Sequence, residues 1–143
     1  VGMEPGDFLL LHTARAWAPR EAPEEIKRLD PALNGTLPEE LKALERQLLI
    51  GPIERYGRPP GEPLEDMEVQ SRLEVGCCPV PGSYAIEQSV LVAGPPRRRF
   101  VITYKKRYEP AGLVGALAEL GWESVAVWDD GPGKDLLCLF QRL

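Results

Sequence analysis

The chain contains one histidine, His12, at the carboxyl end of an apolar run that begins at Asp7. Near neutral pH an imidazole can act as a base or contact a substrate, and ligands gather at the carboxyl ends of strands in open α/β sheets. His12 is therefore a candidate substrate-binding residue. The alternative is a histidine that ends a strand at the surface or is satisfied in the core. No serine or cysteine constellation accompanies it, so the sequence does not support a nucleophilic triad.

Aromatic and basic residues supply the next candidates. Trp17 stands alone in a charged loop after the same run, where it could line a substrate pocket or a partner surface. Basic and aromatic residues interleave from Arg97 to Tyr108. This pattern can serve nucleic acid, but charged strands also protect sheet edges or contact an anionic substrate. We favour the latter two interpretations, because a net charge of −5 argues against a nucleic-acid partner for the whole domain.

The composition of the chain narrows the class of protein. Its 143 residues, 43% hydrophobic and 27% charged, suit one ordinary globular domain. Three cysteines, two of them adjacent at Cys77 and Cys78, form neither a disulfide framework nor a zinc pattern, so we predict no metal site. No leader and no apolar run that could span a membrane is present, which predicts a cytoplasmic protein without a membrane partner. The start at Val1, with Met at position 3, fits a piece of a longer polypeptide, a processed terminus or an expression artefact.

The first half of the chain predicts a strand and a helix. Asp7–Thr13 is so apolar that it predicts a strand covered on both faces. Thr36 and Glu39 form a capping-box pattern that predicts the start of a helix, and Gly51 with Pro52 should end it. The leucines of this helix form one apolar stripe that we predict to be core: Leu37, Leu41, Leu44 and Leu48.

The second half predicts a small antiparallel sheet and a closing unit, joined to the first half by a proline-rich connector at 57–66. The extended segments of the sheet are Met67–Val75, Tyr84–Ala93 and Arg99–Tyr108. A helix that stops at Gly121 follows, and then two strands, Trp122–Trp128 and Asp135–Phe140. Trp122 and Trp128 have the same parity, so both are predicted to face one side of their sheet as core anchors.

Two stretches resemble class I S-adenosylmethionine-dependent methyltransferases. Met3 to Leu11 resembles the approach to that fold's fifth strand, where a turn reading roughly Leu-x-Pro-Gly-Gly/Asp precedes an apolar strand. Ala118 to Trp128 resembles the link from the last helix into the sixth strand. Asp135–Phe140 resembles the seventh, which in this family returns antiparallel between strands five and six. The resemblance implies an α+β chain that forms the C-terminal part of a Rossmann-like sheet, with an inserted antiparallel β subdomain.

The long segment before the final helix is similar to the substrate-recognition insertion of the histidine-specific methyltransferases of the ergothioneine pathway. Their insertion ends in a strand reading about Thr-Glu-Ile-Ser-x-Lys-Tyr. When Arg107 and Tyr108 are aligned with the Lys-Tyr pair, Thr103 takes the position of that family's acidic substrate ligand, and Lys105 takes the position of its serine. The resemblance implies that Thr103 and Lys105 contact the substrate, although both differ from the family's residues. It also implies a single domain over 1–143, with 7–13 and 108–143 as the methyltransferase-like unit and 36–107 as the insertion.

The resemblance implies the substrate side of an enzyme that methylates a small amine- or imidazole-type acceptor, but it assigns no catalytic residue. The sequence has no G-x-G-x-x-G turn for the polar end of S-adenosylmethionine. We therefore expect no cofactor-binding residues in this chain. We expect instead that the chain associates through an exposed sheet face, either with a missing N-terminal half or with a second copy of itself. The alternative is a non-catalytic protein-interaction or regulatory domain derived from the same half-fold.

Overall fold

A computed structural model of the chain describes residues 2–56, 67–92 and 97–143. Within these ranges the chain forms two antiparallel sheets and four helices, so the predicted α+β class is confirmed. The predicted connector at 57–66 and the strand end at Ala93 lie outside the described residues. The strands are β1 (Phe8–Ala14), β2 (Met67–Glu74), β3 (Tyr84–Val92), β4 (Arg98–Arg107), β5 (Trp122–Asp129) and β6 (Asp135–Arg142). The helices are α1 (Pro23–Leu29), α2 (Pro31–Asn34), α3 (Glu39–Tyr56) and α4 (Pro110–Glu119).

The first sheet, here called the closing sheet, has the strand order β1-β6-β5. Strand β6 runs antiparallel to both neighbours, and this is the position that the resemblance implied for the last strand. The short turn between β5 and β6 requires the antiparallel pairing. One face of the sheet packs against α4 in a core formed by Leu113, Trp122, Leu136, Cys138 and Phe140.

The other face of the closing sheet is open, so the prediction that the first strand is covered on both faces is wrong. Phe8 and Leu10 are each 60% exposed, whereas Leu9 and Leu11 pack against the core. Alternate residues of a strand point to opposite faces. Because α4 packs on the face of Leu9 and Leu11, the apolar side chains of the opposite face are left in solvent.

Trp122 and Trp128 lie on opposite faces of the closing sheet, contrary to the prediction from their parity. The pairing register of β5 shifts by one residue between Ser124 and Ala126. Such a bulge reverses the side to which all later residues of the strand point. Trp122 is therefore buried, at 7% exposure, and Trp128 is 51% exposed on the open face.

The second sheet, here called the insertion sheet, is antiparallel as predicted, and its strands form a meander in the order β2-β3-β4. Its central strand β3 is buried along almost its whole length. Tyr84 and Ile86 of β3 form a second core with Ile26 of α1. Two backbone hydrogen bonds join this sheet to β1: the Tyr108 N–H donates to the Ala14 carbonyl, and the Ala16 N–H donates to the Tyr108 carbonyl, each at 2.9 Å.

Helix α3 departs from the prediction at both ends. The Thr36 hydroxyl donates to the side chain of Asn34 at 2.6 Å instead of capping the helix, and α3 begins at Glu39. At the other end α3 continues through Gly51 and Pro52 to Tyr56, so Pro52 removes one backbone hydrogen bond without ending the helix. No helix within the described ranges is long and apolar enough to cross a membrane.

The leucine stripe of α3 faces outward, so its assignment to the core is wrong. Leu41, Leu44 and Leu48 are 47%, 50% and 67% exposed. The side of α3 that meets the insertion sheet carries Glu45, which bonds to residues of β3 and β4. Polar pairing across the sheet therefore orients this helix, and the leucines point away from it.

Candidate functional site

The two sheets meet at the carboxyl end of β1. A cavity of about 250 Å³ lies here. It is lined by Leu11, His12, Thr13, Tyr108 and Leu113. The predicted position of His12, at the carboxyl end of its strand, is therefore next to a cavity.

His12 is exposed and paired with an acid from the neighbouring strand. Its Nε2 lies 3.0 Å from Oδ1 of Asp135 on β6. Because a carboxylate oxygen only accepts, Nε2 is the donor in this pair. The role of His12 as a substrate ligand stays a prediction.

A larger cavity, of about 550 Å³, lies between β2 and the helices α2 and α3. This volume suits a small organic ligand. Its apolar lining comes mainly from Ala32, Leu33, Leu37, Ala43 and Val69. Its polar lining comes from Glu39, Lys42, Glu45, Arg46 and Ser71. We call this space the insertion cavity.

Glu45 connects the wall of the insertion cavity to the insertion sheet. Its Oε1 accepts a hydrogen bond from Nζ of Lys105 on β4, and its Oε2 accepts one from Nε2 of Gln88 on β3 at 3.3 Å. Burial lowers the pKa of Lys105, and the nearby Arg107 guanidinium lowers it further. At a given pH, a larger fraction of Lys105 is therefore neutral, and able to accept a proton, than of an exposed lysine.

Thr103 lies on the same face of the insertion sheet as Lys105, two residues earlier on β4. It is directly opposite Gln88 in the strand register. Lys105 thus bonds to Glu45, and Thr103 is the strand neighbour of Gln88. Sequence reasoning missed Glu45 and Gln88. The polar side of α3 is the available signal for Glu45, but the leucine stripe predicts that the opposite, apolar side faces the core.

Trp17 lies apart from both cavities. Its ring packs against Gly133 in the turn between β5 and β6, so closely that a Cβ on Gly133 would overlap several ring atoms. Its backbone N–H donates to the Tyr84 hydroxyl at 3.1 Å. The role of Trp17 at a pocket or a partner surface stays a prediction.

Two buried polar residues and one partly buried arginine support β4 behind the site. Asp30 is fully buried between α1 and α2, and its Oδ2 lies 3.5 Å from Nε of Arg107. Among the residues that the structure describes, neither of these two atoms has a hydrogen-bond partner. Tyr84 is opposite Arg107 in the register. This group fixes the end of β4 two residues from Lys105.

We expect Tyr84 to make stability fall by on the order of 2–3 kcal/mol between about pH 10 and about pH 12. Burial raises the pKa of Tyr84 to about 12 from the ordinary value of 10. In this window the unfolded chain binds fewer protons than the folded one, so stability decreases as the pH rises. The stabilising contribution of Tyr84 is fully present below the pKa that this side chain has in the unfolded chain. Urea unfolding as a function of pH measures it, as the difference between the wild-type protein and Tyr84→Phe.

The matched control for this titration is Tyr104→Phe, because the Tyr104 side chain is exposed. This variant should show the same fall in stability as the wild-type protein over the pH window. An equal pH dependence of the Tyr84→Phe variant and the wild-type protein would show that Tyr84 loses its proton at an ordinary pKa in the folded state.

Within the described ranges, no three His, Cys, Asp or Glu side chains come together where they could hold a metal ion. The two candidate cavities lie at the carboxyl end of β1 and in the insertion. No protein-family model matches this sequence, and a search of curated proteins finds no match.

Proposed function

We propose that the chain is the substrate-side portion of an S-adenosylmethionine-dependent methyltransferase that acts on a small amine- or imidazole-type acceptor. The observation that carries the proposal is the closing sheet. Its last strand β6 lies antiparallel between β1 and β5, and α4 covers one face of the sheet. The C-terminal part of a Rossmann-like methyltransferase sheet has this arrangement, and an insertion after β1 suits substrate recognition.

The residues of this chain do not fit the cofactor. A nucleoside cofactor of this type needs an acid for its ribose hydroxyls. Near the carboxyl end of β1, the acid Asp129 accepts from Nε of Arg15 at 2.7 Å, and Asp135 pairs with His12. The sequence also lacks the glycine-rich turn. We therefore assign cofactor binding to a partner segment and derive no step through the cofactor.

The insertion cavity is the proposed acceptor site. A protonated amine or an imidazolium can bind the Glu45 carboxylate in place of Lys105. Burial lowers the pKa of Lys105, which makes its neutral form available to take a proton from the acceptor. Methyl transfer requires a neutral acceptor nitrogen, so Glu45 binds the acceptor and Lys105 takes its proton. Thr103 lies beside this pair.

The open face of the closing sheet is the proposed contact with the cofactor-binding half. Its exposed apolar side chains are Phe8 and Leu10 of β1 and Trp128 of β5. These residues share the face because the register places Leu10 opposite Leu139 and Trp128 opposite Leu137 on β6. An apolar patch of this kind marks an interaction surface.

Binding of histamine, which carries both an amine and an imidazole, tests the acceptor site. We expect titration followed by ¹⁵N NMR to shift the signals of Gln88 and Lys105. Glu45→Gln should weaken binding by about tenfold, because it removes a charged hydrogen-bond acceptor. Glu40→Gln, an exposed change on the same helix, is the matched control and should bind as the wild-type protein does. Shifts confined to other residues would exclude the insertion cavity as the acceptor site.

Two further measurements test the enzymatic part of the proposal. Calorimetric titration of this chain with S-adenosylhomocysteine should give no heat, and tight binding would contradict the assignment of the cofactor to a partner segment. The coding sequence upstream of Val1 should encode a βαβ unit with a glycine-rich turn. An unrelated domain there would favour the second candidate function, a non-catalytic protein-interaction or regulatory domain, which the open apolar face of the closing sheet also suits.

A further inference from the structure

The insertion sheet has a polar cleft on the face that points away from α3. Alternate residues of a strand point to opposite faces. Glu87 and Ser89 of β3 therefore lie on the face opposite to Gln88, which bonds to α3. The cleft has a volume of about 540 Å³, and all the residues that line it are polar: Gln70, Ser71, Arg72, Ser89 and Arg99. We call this space the arginine cleft.

A buried carboxylate holds the two arginines of the cleft. The Glu87 side chain is 5% exposed, and it accepts hydrogen bonds from Nη2 of Arg99 and, at 3.2 Å, from Nη2 of Arg72. The Tyr104 hydroxyl donates to the same carboxylate at 3.5 Å. Charge-assisted hydrogen bonds of this kind fix the orientation of a guanidinium. Two arginines from different strands are thus positioned side by side on one face of the sheet.

Each of these guanidiniums keeps donors for a ligand. A guanidinium has five N–H groups. Arg72 and Arg99 contact Glu87 through Nη2, and Arg72 pairs with Glu74 through the same nitrogen. Among the residues that the structure describes, Nε and Nη1 of both arginines have no partner. The two side chains are 63% and 42% exposed, so these donors are accessible from solvent.

A buried hydroxyl lies between the two arginines. The strand register places Arg72 opposite Glu87, and Arg99 opposite Leu91, on either side of Ser89. Ser89 is 2% exposed, and its hydroxyl makes no hydrogen bond with any residue in the described ranges. A buried hydroxyl without a partner is unfavourable, and an acceptor atom in the cleft would satisfy it.

We propose that the arginine cleft binds the oxyanion of a small molecule, a carboxylate or a phosphate. Arg72 and Arg99 supply the charged donors and Ser89 supplies a hydroxyl donor, because the planar fork of a guanidinium matches two oxygens of such an anion. The inference is independent of the proposed function, since Lys105 and Gln88 lie on the other face of the sheet.

The charge of this face supports an anionic ligand. The chain has a net charge of −5, yet the described cations of this face outnumber its carboxylates. They are Arg72, Arg97, Arg99 and Lys106, against Glu68, Glu74 and Glu87. A local excess of positive charge raises the concentration of anions at this face relative to the rest of the surface.

Titration of the full chain in chloride-free buffer tests the cleft, with inorganic phosphate in one arm and acetate in the other. We expect ¹⁵N NMR to show saturable shifts of the Nε–H signals of Arg72 and Arg99 and of the Ser89 amide. Arg28, an exposed arginine that pairs with Glu25 on α1, is the internal control and should not saturate. The arm that saturates at the lower concentration identifies the oxyanion. Equal shifts at Arg28 and Arg72, or no saturation in either arm, would overturn the proposal.

Two variants separate binding from folding. Ser89→Ala keeps every ion pair of Glu87, so we expect the stability of the wild-type protein and binding that is weaker by about threefold to tenfold. Glu74→Gln should tighten binding by about twofold to fivefold, because it removes a carboxylate that competes for Arg72. Unchanged affinity in both variants would show that the ligand binds elsewhere.

Two controls define the site and the class of ligand. Ser89→Ala should leave histamine binding unchanged, so that failure of the arginine cleft and failure of the acceptor site are distinguishable. A single-stranded oligonucleotide should not shift the signals of the cleft at concentrations where the small oxyanion does. Binding of the oligonucleotide alone would assign the cleft to nucleic acid and contradict the proposal.

Discussion

Asp30→Ala is expected to lower the free energy of unfolding by about 3–5 kcal/mol, because it leaves the mostly buried guanidinium of Arg107 without its counter-charge. Asp30 is fully buried, and its Oδ2 lies 3.5 Å from Nε of Arg107. The other carboxylate oxygen caps α2 by accepting from the Ala32 N–H at 3.0 Å. The substitution therefore removes an ion pair and a helix cap together. Urea unfolding followed by circular dichroism measures the loss.

Two further variants separate the charge from the cap. Asp30→Asn keeps a side-chain oxygen that can accept from Ala32, so the difference between Asn and Ala at this position reports the cap, worth about 1 kcal/mol. Adding Arg107→Met to Asp30→Asn removes both charges and should recover most of the stability, because the desolvation penalty disappears with them.

The surface variant Glu24→Ala is the control for the buried pair. Glu24 pairs with Lys27 in solvent at 3.0 Å, and its removal should change stability by less than about 0.5–1 kcal/mol. If Asp30→Ala were no more destabilising than Glu24→Ala, the buried pair would contribute nothing to the position of β4. The predicted support for Lys105 would then be wrong as well.

Gly112→Ala is expected to destabilise the protein by about 3 kcal/mol, whereas Gly115→Ala should stabilise it by up to about 1 kcal/mol. Both glycines lie in α4, where alanine favours the helix equally at either position. A Cβ on Gly112 would overlap the backbone oxygen of Pro81 and lie 2.9 Å from its carbonyl carbon. A Cβ on Gly115 would meet nothing within 4 Å. The same substitution, three residues apart, therefore changes stability in opposite directions.

The contact at Gly112 joins the closing unit to the insertion. Pro81 lies in the turn before β3, and the same turn is held by Ser83, whose Oγ accepts from the Glu109 N–H at 2.9 Å. The Glu109 side chain in turn accepts from the Gly112 N–H at 2.6 Å and caps α4. Thermal unfolding of the two variants measures the contrast. Equal melting temperatures would show that α4 and this turn are not in close contact.

Much of the fold followed from local patterns. The alternation of residues 67–75 predicted β2, and the apolar run after Asp7 predicted β1, because a strand's periodicity depends only on neighbouring residues. Gly121 marked the end of the final helix, and its positive φ of 82° agrees with that role. Only part of the candidate site could be predicted from the sequence. The resemblance selected Thr103 and Lys105. Glu45 contacts Lys105, which is 60 residues away in the sequence, and Gln88, which is 43 residues away, so no local pattern indicated these contacts.

The errors have a common physical cause. The leucines of α3 show that one side of the helix is apolar, but not which neighbour it meets, and the polar contacts of Glu45 turned that side outward. Likewise, Trp122 and Trp128 have equal parity in the sequence, and a one-residue bulge places them on opposite faces. Residue type and spacing were therefore sufficient for the α+β class, the order of elements and most strand bounds. Contacts between distant segments decide which face of each element is buried and which residues meet at the site. The sequence pattern of a single segment does not indicate how strong these contacts are.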